Sequence, residues 1–231
     1  MISAIILSGG TGTRLGADIP KQYLQVNGRS VLSYSLETFA KHHLIDSIII
    51  VAAPEWREDI RKEYEKLGLS KELIFANPGE TRQLSIFNGL MSTEETDKTI
   101  DKVIIHDGAR PLVSSSLISE CLDSCNDEFP AVMPVIPVKD TIYVSENGES
   151  ISGLLDRSTL FAGQAPEAFL FNKYLDSHHF LTKENLLKIN GSSELAFKVG
   201  LPIRTVKGDP MNFKITDKED LNRFKSICNE G

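Results

Sequence analysis

Five short apolar runs, rich in Ile and Val, recur in the first part of the chain: SAIIL (3–7), SIIIVA (47–52), ELIFA (72–76), KVIIH (102–106) and AVMPVIPV (131–138). Each is nearly continuous rather than alternating, which predicts strands covered on both faces in a parallel sheet. Between them the apolar positions take helical spacing. Leu32, Leu36 and Phe39 share one face. So do Trp56, Ile60, Tyr64 and Leu67; Ile86, Phe87, Leu90 and Met91; and Leu117, Ile118, Cys121, Leu122 and Cys125. Strands alternating with such helices give βαβ units and a doubly wound α/β sheet.

After Val138 the pattern changes. KDTIYVSENGESISGLLD places Asn147-Gly148 between β-forming residues, a strong hairpin signal. A hairpin inserted there must pack on something or project. A projecting arm is marginal by itself and is expected to clasp a second copy of the chain. Near the C-terminus, Thr216 and Glu219 have capping-box spacing ahead of a helix with Leu221, Phe224 and Ile227 on one face. Without an internal repeat or a long linker, the chain reads as one domain over 1–231, with a β-arm at about 138–160.

Composition narrows the classes. The 231 residues are 41% hydrophobic and 25% charged, as in ordinary globular proteins. No run is long enough to span a membrane, and the first residues lack a basic flank and cleavage site, so a cytoplasmic protein without a membrane partner is expected. The net charge of −7 and the lack of a Lys/Arg run argue against nucleic acid. Cys121, Cys125 and Cys228 form no CxxC, which argues against a disulfide framework or zinc site; the first two are expected to fill core. His178-His179 lies on a polar helical stretch and is expected at the surface.

The chemistry gathers where strands run out. LSGGTGTRLGADIPKQ (7–22) follows the first strand, and ligands of such sheets bind at the strands' carboxyl ends. Glycines there let backbone N–H groups approach an anion. The spacing fits neither GxGxxG nor GxxxxGK[ST], so neither the dinucleotide fingerprint nor the P-loop applies. Arg14 offers a planar fork and Lys21 a compact point charge, a pairing suited to a triphosphate under attack at its α-phosphorus. NPGETRQLSIFNGL (77–90) breaks at Gly79 and opens a helix with Arg82 and Ser85, whose N-terminus and free hydroxyl suit a base or phosphate. IIHDGARP (104–111) brings His106, Asp107 and Arg110 to the end of a buried strand. Asp107, beside Gly108, suits a ribose hydroxyl or Mg²⁺; an Asp–Arg loop ion pair is the plainer reading. VKDT (138–141) and LDR (155–157) place Lys139, Asp140, Thr141 and Arg157 at the base of the hairpin, and Lys214 lies in GDPMNFKIT (208–216).

The ordered set GGTGTRLGADIPKQY, GETRQLSIFNGL, HDGARP, VKDT, LDR, GQAPEAF and NFKIT resembles the cytidylyltransferases of the isoprenoid pathway, which join CTP to 2-C-methyl-D-erythritol 4-phosphate, and their sister enzymes that make CDP-ribitol. The match spans nearly the whole chain. The resemblance implies a Rossmann-like, mostly parallel sheet with a protruding β-hairpin arm exchanged in a homodimer. It implies that Arg14 and Lys21 are catalytic at the α-phosphorus. It places CTP on Ser8, Gly9, Gly10, Thr11, Gly12 and Thr13, on Gly79, Glu80, Arg82 and Ser85, and on Asp107 and Gly108. The acceptor phosphate would be held by Lys214 with Thr141 and Arg157 from a partner's arm, and Arg110, on the substrate side, would shape the loop that carries Asp107. Mg²⁺ would accompany CTP, with Asp107 as its candidate ligand.

Two strings depart from the family pattern. A QTPQ-like string is replaced by residues that include Ala165 and Glu167, and a TDDA-like string by Asn190, Gly191, Ser192 and Ser193. Both fall on the acceptor side, so the CTP half reads as intact and the acceptor half as altered. HDGARP and ETRQ lean toward the methylerythritol branch; ribitol phosphate, or another polyol or sugar phosphate for wall or capsule polymers, is the alternative. A CTP-binding protein without turnover, and a UTP- or GTP-dependent sugar-1-phosphate nucleotidyltransferase, are the competing classes.

Overall fold

The computed structural model describes residues 1–10, 19–94 and 99–230. The chain opens with β1 (Ile2–Leu7), then a small hairpin of β2 (Gln25–Val26) and β3 (Arg29–Ser30), then α1 (Val31–Lys41), β4 (Ser47–Val51), α2 (Arg57–Lys66), β5 (Glu72–Ala76), α3 (Arg82–Glu94), β6 (Lys102–Asp107) and α4 (Ser115–Ser124). The second half runs through β7 (Ala131–Pro137), β8 (Tyr143–Val144), β9 (Gly153–Leu154), β10 (Phe161–Gly163), β11 (Glu167–Leu170), α5 (Phe171–Phe180), α6 (Lys183–Leu187), α7 (Ser192–Lys198), β12 (Ile203–Lys207) and α8 (Lys218–Glu230).

The main sheet has eight strands in the order β10-β7-β11-β6-β1-β4-β5, with β12 added on β7. The half built from β6, β1, β4 and β5 is parallel. The strand β11 enters antiparallel between β6 and β7, and β12 lies parallel to β7. The five apolar runs are therefore strands, but β7 is flanked by antiparallel neighbours as well as by a parallel one. At the open edge, β5 is only partly buried because it has a neighbour on one side alone.

Continuous apolar runs arise because both faces of the central strands are covered. On one face Ala4, Ile6, Ile48, Ile50 and Ile104 pack with Leu36, Phe39, Ile60 and Cys121 from the helices and with Cys125 just after α4. On the other, Ile5, Ile49, Val51, Val103 and Ile105 pack with Ile86, Leu90, Phe169 and Tyr174. The period-2 geometry of a strand sends successive side chains to opposite layers, so every position in β4 is apolar or buried. A third cluster seats Phe224 of α8 on Val26, Val31 and Ile215.

Two expectations are corrected, and the hairpin is present with a wider turn. His178 is buried, not at the surface. Its Nδ1–H donates to the Tyr174 carbonyl, its Nε2 accepts from the Gln83 amide, and its ring stacks near Phe87. The cap of α8 lies one residue later than Thr216/Glu219: Asp217 Oδ1 accepts from the Glu219 and Asp220 amides, while Asp220 Oδ2 accepts from Thr216. The hairpin exists, pairing Tyr143 with Leu154 and Val144 with Gly153, but Asn147-Gly148 is not a tight two-residue turn. Only Gly148 has positive φ, at +77°, and Asn147 Oδ1 accepts instead from the Glu149 and Ser150 amides in a wider loop.

Candidate active site

A cavity of 490 Å³ opens at the carboxyl ends of β1 and β6. The β1 end supplies Gly9 and Gly10; the turn after the first loop supplies Lys21 and Gln22; the segment before α3 supplies Gly79, Glu80 and Thr81; and Arg82, Ser85, Asp107, Ala109, Lys214 and Thr216 complete it. Residues widely separated in sequence thus meet because parallel strands deliver their C-terminal loops to one edge.

Backbone closeness fixes two glycines. A Cβ on Gly9 would stand 2.4 Å from Pro78 Cβ, so the loops after β1 and β5 can touch only with glycine there. A Cβ on Gly79 would meet Leu84 Cβ at 2.4 Å and the Ser85 nitrogen at 2.9 Å, which is backbone and cannot yield cheaply. Ser85 does not present a free hydroxyl: its Oγ donates to the Thr81 carbonyl and accepts from Gly79 N–H. Ser85 therefore shapes the loop into which it also projects.

Lys21 is placed by its two neighbours. Gln22 Nε2 donates to the carbonyls of Ser8 (2.7 Å) and Gly10 (2.8 Å), and the Tyr23 hydroxyl bonds both the Ser8 carbonyl and its Oγ at 2.9 Å. Both side chains are buried, and Tyr23 stacks on Trp56. These contacts pin Lys21 against the start of the glycine loop. Gln22 and Tyr23 carry no charge at pH 7, so reading the segment for cations passes over them; the signal was the polar Gln-Tyr pair directly after Lys21. Thr11, Gly12, Thr13 and Arg14 lie outside the described residues.

Asp107 is the electrostatic hub. Its Oδ1 accepts from Arg82 Nε and Nη2 at 3.3 and 3.2 Å, and its Oδ2 from Lys214 Nζ at 3.0 Å and Arg110 Nε at 3.4 Å. Burial would push its carboxyl up, but Arg82, Lys214 and Arg110 outweigh burial and hold it well below the usual carboxylate range. Arg110 reaches inward as a brace, with Nη1 on the Asn212 carbonyl, and is not part of the cavity lining. The loop ion pair foreseen as the plainer reading is therefore present. Gly108 lies just behind, its N–H on the Leu7 carbonyl.

Thr141 and Arg157 do not join this cavity. Both are exposed on the arm, where Arg157 Nη1 donates to the Lys139 carbonyl at 2.7 Å. Ser8 is buried and does not line the cavity. Among the described residues no three His, Cys, Asp or Glu side chains are placed to hold a metal ion, and both oxygens of Asp107 already face cations. That donor set does not fit a resident metal. A magnesium ion that arrives on a triphosphate, keeping phosphate and water ligands, needs no such set.

The two departures from the family pattern prove to be one place. Glu167 Oε2 accepts from the backbone N–H of Ser193 at 2.8 Å and from its hydroxyl, and Arg82 Nη1 donates to Ser192 Oγ at 2.7 Å. The added carboxylate at 167 is thus buried beside Arg82 rather than open to the cavity.

The comparisons agree with this architecture. A family model described as 2-C-methyl-D-erythritol 4-phosphate cytidylyltransferase matches residues 2–230. The 2-C-methyl-D-erythritol 4-phosphate cytidylyltransferase of Clostridium beijerinckii is 35% identical, over 96% of this chain and 95% of its own. The ribitol-5-phosphate cytidylyltransferase of Vibrio parahaemolyticus is 33% identical, over 97% and 94%. The crystal structure of 4-diphosphocytidyl-2C-methyl-D-erythritol synthase from Anaerococcus prevotii superposes with a TM-score of 0.83 at 27% identity, covering 99% of this chain and 96% of that one. Matched along nearly its whole length, the chain belongs to the 2-C-methyl-D-erythritol 4-phosphate cytidylyltransferase family of CTP-dependent nucleotidyltransferases.

Proposed function

We propose that the protein transfers the cytidylyl group of MgCTP to a polyol phosphate, 2-C-methyl-D-erythritol 4-phosphate first and ribitol 5-phosphate as the alternative, releasing pyrophosphate. The observation that carries this is the meeting of Gly9, Gly10, Lys21, Asp107 and Lys214 in one cavity at the strand ends. In this reading a phosphate oxygen of the acceptor attacks the α-phosphorus in line, the α-phosphorus–oxygen bond to pyrophosphate breaks, and no covalent enzyme intermediate forms. Lys21, with Arg14, meets the charge that grows on the equatorial oxygens. The Gly79–Thr81 segment takes the cytosine, Asp107 the ribose, and Lys214 the acceptor phosphate.

Pyrophosphate release tests this directly, with CTP, Mg²⁺ and each acceptor in separate reactions. Release with methylerythritol phosphate in preference to ribitol phosphate is the expected result. Preference for ribitol phosphate selects the alternative, supported by the relatives named for that acceptor. Release with neither acceptor, while CTP still binds, removes the reading.

The arm belongs to the same proposal. Tyr143, Val144, Ile151, Leu154 and Leu155 are exposed on it, and that many exposed apolar side chains on one arm suit burial against a second copy. Thr141 and Arg157, remote from their own cavity, would then complete the partner's acceptor site. Sedimentation should give a dimer, and Leu154→Asp should shift it toward monomer and raise the acceptor KM; a wild-type monomer would rule out arm exchange.

A further inference from the structure

Arg82 is held from three sides. Its Nε and Nη2 donate to Asp107 Oδ1, its Nη1 donates to Ser192 Oγ, and its Nη2 stands 3.6 Å from Glu167 Oε1. The Glu167 side chain, 8% exposed at the start of β11, lies behind Arg82 and outside the cavity lining. Its second oxygen is fixed by the N–H and hydroxyl of Ser193 in the first turn of α7. The carboxylate therefore cannot turn to solvent, and a buried carboxylate is tolerated only with a close cation. Here that cation is Arg82.

The charge count follows. Arg82, Arg110 and Lys214 surround Asp107, so these three cations and one carboxylate carry +2. Glu167 brings the cluster to +1. It stands beside the same Nη2 that faces Asp107, and with Nη1 on Ser192 Oγ all three Arg82 nitrogens face protein oxygens. Arg82 forms a cavity wall whose charge is met by Asp107 and Glu167, while Lys214, 36% exposed and paired with Asp107, also lines the cavity.

We infer that Glu167 is a positioning residue that sets acceptor choice: it holds and neutralises Arg82, so this wall accepts the hydroxylated part of a polyol phosphate and leaves the phosphate to Lys214. The effect on acceptor choice rests on the cytidylyl-transfer reading; the effect on anion binding does not.

The test uses the full-length protein with inorganic phosphate as the probe. Glu167→Gln removes one charge at nearly constant volume and keeps a carbonyl oxygen for Ser193. An extra unit of positive charge near a phosphate dianion should tighten phosphate binding about tenfold by calorimetry, with a steeper salt dependence. The double variant Arg82→Gln/Glu167→Gln restores the charge count and should return to within about twofold of wild type. In turnover, Glu167→Gln should shift the ratio of kcat/KM between the two acceptors by about fivefold or more, while KM for CTP moves less than about twofold.

Unchanged phosphate affinity in a folded Glu167→Gln protein overturns the inference. So does an unchanged acceptor ratio, or a double variant as tight as the single one. If the single variant does not fold, the double variant decides by phosphate affinity: a value about tenfold or more away from wild type at the restored charge count overturns the inference. A wild-type protein that turns over no acceptor would remove cytidylyl transfer, yet the phosphate titration would still decide what Glu167 does to the charge of the site.

Discussion

Lys21→Ala should lower the rate of pyrophosphate release by about 10²–10³, the range seen when one pre-positioned donor is removed from a developing negative charge. The expectation depends on where Lys21 sits. It opens a short 3-10 turn, Lys21–Tyr23, whose next two side chains are buried and bonded to Ser8 and Gly10. The ammonium is carried by a fixed support, so little ordering remains to be done in the transition state. CTP has other contacts in the 490 Å³ cavity, so its affinity should fall only a few-fold. Single-turnover rates with saturating CTP, together with CTP titration by calorimetry, separate the two quantities. A variant that turns over normally once saturated, but binds CTP a hundredfold more weakly, would make Lys21 a ground-state binder rather than a catalytic group.

Gln22→Ala should reproduce part of the same loss without removing any charge. Its amide joins the Ser8 and Gly10 carbonyls, so deleting it loosens the support of Lys21. A rate defect without a CTP-binding defect is what positioning looks like in kinetics.

The parts legible in the sequence share a physical property: their signal is local. In β1, β4 and β6, a strand covered on both faces must be apolar throughout, and the runs at 3–7, 47–52 and 102–106 say so directly. The loops that follow β1, β5 and β6 converge because parallel strands end together, so Gly9, Lys21, Gly79 and Asp107 could be grouped before any coordinates. What was not legible depends on contacts between distant segments. The strands β10 and β11 are only three and four residues long, and they acquire order by pairing with β7 and β6. His178 looked like a surface residue because its neighbours Asp176 and His179 are polar. Its burial is decided by Gln83 and Phe87, from the helix packed against it. Likewise Glu167 and Ser193 stood out separately as departures, and nothing in their spacing says that one accepts hydrogen bonds from the other. Ser85 shows the opposite limit: it lines the cavity, but the hydroxyl expected to be free is occupied within the loop.

The largest effect on stability is expected from pH. His106 and His178 are both buried, and burial pushes each imidazole down to about 4. His106 donates from Nε2 to the Arg110 carbonyl while Nδ1 has no partner among the described residues. It lies near Phe39, with Asp107 favouring its charged form and Arg110 and Lys214 opposing it. His178 is enclosed by Tyr174, Gln83 and Phe87, with His179 opposing its charge. In the unfolded chain both titrate near 6.5. Between that value and about 4 the unfolded state binds protons that the folded state does not, so stability rises with pH across this window and is lost on acidification. Two such groups give a slope near 2.7 kcal/mol per pH unit, or on the order of 5 kcal/mol from pH 6.5 to 4.5. That is comparable with the whole stability of an ordinary domain. The depressed carboxyl of Asp107 adds a loss of the same sign only at lower pH, below its ordinary value near 3.8. Urea midpoints measured at pH 7.0, 5.5 and 4.5 should therefore fall steeply. His178→Gln, which is neutral at every pH, should remove about half of the slope. A flat profile from pH 6.5 to 4.5 would mean that both imidazoles find water or a counter-charge on protonation, and that the buried neutral pair is not what limits the fold in acid.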